Sequence, residues 1–69
     1  MKPKLKWWIK ERYNPQLGTY WVACGQLSKA QAKRKNKPIY GDSVMHDFDT
    51  GESYLNRLKE LRQSGEKLL

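Results

Sequence analysis

The sequence predicts an α+β fold: a three-stranded antiparallel sheet, a short helix between its second and third strands, and a C-terminal helix packed on one face. Three observations lead there. Two alternating runs flank a stretch dense in turn formers, Asn14 to Gly18; a third short run follows at Ser43; and apolar residues at helical spacing close the chain. The order strand, strand, helix, strand, helix packs most simply as a sheet with one covered and one open face.

From Leu5 to Tyr13 the chain alternates, with Leu5, Trp7, Ile9 and Tyr13 on one face and Lys6, Trp8, Lys10 and Arg12 on the other. The first face is expected to join the core. Pro15 presets φ and Gly18 tolerates a positive φ, so Asn14 to Gly18 should reverse the chain into a hairpin whose second strand is Thr19 to Leu27. A register placing Ile9 opposite Val22 sends Trp7, Ile9, Val22 and Cys24 toward the helix and leaves Trp8, Lys10, Arg12, Thr19 and Trp21 on the open face. A slip of one residue puts Tyr20 and Val22 outside instead of Trp21, because strand side chains alternate with period two.

Ser28 is the expected N-cap of a short helix over Lys29 to Lys35, stopped by Asn36 and Pro38, with only Ala30 and Ala32 to bury. Ile39 to Asp42 reads as an apolar contact and a turn, and Ser43 to Phe48 as the third strand. Asp49 with Glu52 has capping-box spacing, and a helix follows in which Tyr54, Leu55, Leu58 and Leu61 make one stripe. Ser64-Gly65 should end it, with Glu66 to Leu69 frayed. Neither repeat nor linker is visible.

A chain of 69 residues is one small domain with a small core, residues 1–69, so its stability should lie near the margin and a monomer or weak homodimer is expected. The formal net charge is +7. Its distribution is one-sided: Met1 to Lys37 holds ten basic residues against Glu11 alone, and the remainder holds four basic against six acidic residues. Clustered cations gain affinity for a polyanion by releasing its condensed counterions; the plainer role of surface lysines is solubility.

Cys24 is the single cysteine, which excludes an internal disulfide and a thiolate zinc cluster. No stretch has the length of a signal h-region or a membrane span, so a cytoplasmic protein is expected, away from the membrane. His46 beside Asp47 and Asp49 is a weak hint of metal or acid-base chemistry, of a kind that arises often by chance, and Cys24 reads as a small core residue. With no glycine-rich phosphate loop, carboxylate pair or nucleophile triad in view, the expectation is a protein that is not an enzyme and uses neither cofactor nor metal.

Basic side chains interleaved with aromatics fit nucleic acid, since cations neutralise phosphates and planar rings stack on bases. Lys6, Trp8, Lys10, Arg12 and Trp21 form the expected sheet-face contacts, with Arg12 a candidate for bidentate guanine reading. Lys29, Lys33, Arg34, Lys35 and Lys37 form a second cluster, which reads equally as a clamp on a phosphate backbone beside the sheet and as a solvated helix end whose cations complement the dipole. DNA is expected ahead of RNA. The competing class is an interaction module that presents the same surface to an acidic host protein.

The stretch "KWWIKERYNPQLGTYWVACG" followed by "DFDTGESYLNRLKELRQ" resembles the arm-type DNA-binding domains of phage integrases and the plant ethylene-response-factor DNA-binding domain. That resemblance implies an exposed sheet face in the major groove and Trp8, Lys10, Arg12 and Trp21 as contacts. The chain departs from the pattern at Ser28 to Lys37, far longer than a hairpin turn and placed to cover the reading face. Most of the chain, through "NPQLGTYWVACGQLSKAQAK" and "YG", also resembles small uncharacterised proteins of temperate phages of enteric bacteria, which implies a phage or prophage accessory protein.

Overall fold

The computed structural model describes residues 4–36 and 43–69. Strand β1 (Leu5–Asn14) and strand β2 (Gly18–Ser28) form the hairpin, helix α1 (Lys29–Lys35) follows, then strand β3 (Ser43–Phe48), helix α2 (Gly51–Gln63) and the two-residue strand β4 (Lys67–Leu68). The sheet order is β3-β1-β2-β4. Its first three strands are antiparallel, as the sequence predicts, but β4 joins β2 in parallel, so the sheet is mixed and four-stranded. The turn at Ile39 to Asp42 and the cation Lys37 lie outside the described residues.

The hairpin closes on Asn14, whose side-chain oxygen accepts from the amides of Gln16 (2.8 Å) and Leu17 (3.3 Å). This Asx turn sets Asn14 opposite Gly18 and therefore Ile9 opposite Ala23, not Val22. The slipped register is thus the one that forms. Trp21 turns toward α2, and Tyr20 and Val22 take the other face.

Further along, β2 carries a bulge. Trp8 pairs with Gly25 and Ile9 with Ala23, which leaves Cys24 as the extra residue, beside a glycine at φ 72° that a Cβ would disfavour. The extra residue reverses the alternation. Trp21 and Ala23 share the face of Ile9, whereas Leu27 shares the face of Lys6 and Trp8; Cys24, expected under α2, packs instead with Trp8 and Leu27. The Gly25 amide donates to the Tyr54 hydroxyl at 3.1 Å, so the bulge does not leave it unpaired.

Two apolar clusters sit on opposite faces. The larger joins Ile9 (0% exposed) and Trp21 to Tyr54, Leu58 and Leu61 of α2, with Trp7, Phe48 and Leu68 at its margin. Trp7 lies 5.1 Å from Tyr54 between ring centroids, and a Cβ at Gly51 would come within 3.0 Å of its ring, so α2 approaches β1 closely only because its first residue has no side chain. The smaller cluster is Trp8, Leu27 and Ala32 of α1, flanked by Cys24 and Met45.

The helix ends show the local logic. Ser28 caps α1 through a reciprocal box: its hydroxyl accepts from the Gln31 amide, and its amide donates to the Gln31 side chain. For α2 the N-cap is Thr50, accepting from the Ser53 amide, and not Asp49. Leu55, expected in the stripe, is 62% exposed, because buried Tyr54, Leu58 and Leu61 already complete the face toward the sheet. At its C-terminus the Glu66 amide donates to the Leu61 carbonyl and the Gly65 amide to that of Arg62, a Schellman closure. That turn lays the last residues beside β2, where the Leu69 amide donates to the Trp21 carbonyl at 2.8 Å, so the expected fraying is replaced by pairing.

Candidate nucleic-acid interface

Strand pairing places Lys6, Trp8, Lys10 and Arg12 of β1 on the face that α1 partly covers, beside Ser43, Met45 and Asp47 of β3 and Tyr20 and Val22 of β2. The helix brings Lys29, Lys33, Arg34 and Lys35 to the same side, all exposed. None of these four forms an ion pair among the described residues. The β1 and α1 cations, separate in sequence, therefore share one side of the molecule.

Their environments differ. Lys6 Nζ lies 2.8 Å from Asp47 Oδ2 and 3.4 Å from Asp49 Oδ1. The hydrogen bond to Asp47 raises the Lys6 pKa, and the same bond holds the Asp47 carboxyl below its ordinary value. Lys10 donates to the Lys35 carbonyl, tying the sheet to the C-terminal end of α1, where a cation is favoured by the helix dipole. Burial pushes the Lys10 ammonium down, and nearby Arg12 adds to this. Arg12 itself spreads over the Tyr20 ring at 5.8 Å, and its Nε finds no partner among the described residues.

The aromatic part of the expected sheet face is corrected. Trp21 is buried against α2 on the opposite side, its indole N–H directed to Glu66 at 3.4 Å and its ring under Arg57 at 5.5 Å. Trp8 is on the expected face but only 9% exposed, because α1 covers it and its indole N–H donates to the Leu27 carbonyl at 2.9 Å. Neither ring is an open stacking plate. Tyr20 is the sheet aromatic that accompanies Arg12, the residue that the slipped register brings outward.

Between α1 and the strands the surface is hollow. A cavity of about 210 Å³ is lined by Lys4, Lys6, Trp8, Lys29 and Asp47. Another, of about 310 Å³, is lined by Trp8, Lys29, Ala32, Lys33, Asn36 and Met45. Trp8 and Lys29 line both, so the two hollows adjoin along α1 and together make a trench. Lys4 and Met45 were missed as site residues by sequence reasoning; Lys4 directly precedes the alternating run that holds Lys6, whereas nothing local marks Met45.

The other side is balanced. Along α2 and the C-terminal segment, Glu52, Glu60 and Glu66 stand against Arg57, Lys59, Arg62 and Lys67, and Arg57 bonds Glu60 at 3.2 Å. His46 faces this side, where Nε2 lies 3.0 Å from Glu11 Oε1, so its acidic neighbour is Glu11 and not Asp47 or Asp49. Among the described residues no three His, Cys, Asp or Glu side chains come together as a metal site requires, and no helix is long and apolar enough to cross a membrane. Cys24 is a half-buried free thiol, donating to the Val22 carbonyl at 3.6 Å. No known protein family, curated protein or solved structure matches the chain.

Proposed function

We propose that this chain is a non-catalytic nucleic-acid-binding protein, acting on DNA ahead of RNA, that grips the phosphate backbone with α1 and the adjacent β1 cations. The observation that carries the reading is the charge of one side: among the described residues, Lys4, Lys6, Lys10, Arg12, Lys29, Lys33, Arg34 and Lys35 gather there against Asp47 and Asp49, and Asp47 already faces Lys6. A surface with a large excess of cations costs self-repulsion and is relieved by a polyanion, with release of the counterions condensed on it. Phosphate contacts dominate this reading, because Trp8 and Trp21 are buried and base stacking on an open sheet is no longer supported. An accessory or regulatory role, in a phage or prophage and in the host cytoplasm, completes the proposal.

The test is a salt titration of binding to random-sequence duplex and single-stranded DNA. The logarithm of affinity should fall linearly with the logarithm of salt, by about 0.9 per phosphate engaged on duplex and about 0.7 on a single strand. Lys33→Ala, Arg34→Ala and Lys35→Ala together should flatten that slope. Absence of binding at low salt refutes the reading and shifts weight to an acidic protein partner, which a pull-down from nuclease-treated extract would identify.

A further inference from the structure

We infer that the trench between α1 and strands β1 and β3 holds an unpaired base of a single-stranded nucleic acid, with the flanking phosphates on Lys29 and Lys33 at one wall and Lys4 and Lys6 at the other. The inference rests on the nucleic-acid reading of this side and narrows it to one form of the polymer. A face that met phosphates alone would need only cations. Here the cations surround an apolar floor made by Trp8, Ala32 and Met45, a combination that suits a ligand with a flat apolar part and anionic ends.

Size admits a nucleobase. At about 310 Å³ the larger cavity is near the lower limit of small-molecule sites, which run from about 300 to 1,000 Å³. The floor is also rigid, since the Trp8 indole is fixed to the Leu27 carbonyl and the Ala32 methyl is packed against it. Asp47 lines the smaller cavity with Lys6 at 2.8 Å, which leaves a charge-compensated acceptor for a base N–H. Bases of a duplex are stacked and paired, out of reach of such a hollow; those of a single strand can splay out and enter.

The experiment compares a short oligothymidylate with an abasic strand of the same length and phosphate count, at a fixed salt concentration. The thymidine strand should bind about tenfold more tightly, toward the low end of what one base gains on an aromatic ring because little of Trp8 is exposed. Equal affinity for the two strands overturns the trench while leaving the phosphate reading intact; failure of both to bind removes the nucleic-acid reading as well. Met45→Trp, which fills the floor without changing charge, should bring the thymidine strand to the abasic level. Met45→Phe should act in the same direction and by less, and retention of the full preference in either variant also overturns the inference.

Discussion

The two faces of the sheet are built on opposite terms. Against α2 the sheet buries large side chains, Ile9 and Trp21 with Tyr54, Leu58 and Leu61, and the surrounding charges are matched in sign. Against α1, among the described residues, it buries Trp8, Leu27 and Ala32, and the α1 cations beside them form no ion pair. The difference teaches where stability and affinity separate. A helix of seven residues with one buried alanine cannot stand by itself, so α1 depends on its cap, on Lys10 and on a platform already stabilised from the far side.

The strongest way to break the comparison is to remove a contact from the α2 face. Leu61→Ala, at a site 2% exposed, should cost about 2–5 kcal/mol, comparable to the whole stability of so small a chain. Urea denaturation should show the transition displaced or lost. Replacing Lys29, Lys33, Arg34 and Lys35 by alanine should do the converse: DNA affinity falls by about 100-fold at low salt, on the order of 2.7 kcal/mol, while the urea midpoint barely moves. Equal changes in Lys59 and Arg62 on α2 should leave binding almost unaltered, and a comparable loss there would erase the distinction between the faces.

Smaller effects sharpen it. Gly25→Ala forces a side chain into a left-handed position and should cost about 1–2 kcal/mol, read as a lower melting temperature. The smallest concerns Asp47, whose carboxyl is held low chiefly by the Lys6 hydrogen bond. A carboxyl with a depressed folded pKa contributes stability that is present above its unfolded pKa and lost as pH falls through the folded value, here below about pH 4. Asp47→Asn should therefore be slightly less stable near neutrality and lose less on acidification, a difference that salt diminishes because the pair is exposed.

Much of this architecture was legible in residue order. The alternation of β1, the turn at Asn14 to Gly18, the strand at Ser43 to Phe48 and both helices formed where the pattern placed them, although α2 is capped by Thr50 and not by Asp49. Misassignment of Trp21 came from one residue of register, decided by the Asn14 side chain, and a glycine inside a strand run was the available sign of the bulge at Cys24. Strand β4 was not legible, since two residues carry no periodicity and their pairing follows from the turn after α2. The cations of the candidate site were legible as a composition; the trench was not, because Met45 and Ala32 meet Trp8 only through tertiary packing.

The bulge in β2 gives one strand allegiance to both layers. Its first half, through Trp21 and Ala23, is read by α2, and its last residues, through Leu27 and Ser28, are read by α1. At the changeover the Gly25 amide is held by the Tyr54 hydroxyl, which belongs to the opposite helix. The bulge thus joins the α2 layer to the α1 layer within one strand. Tyr54, a core residue of the α2 layer, therefore also fixes the point at which β2 passes over to α1.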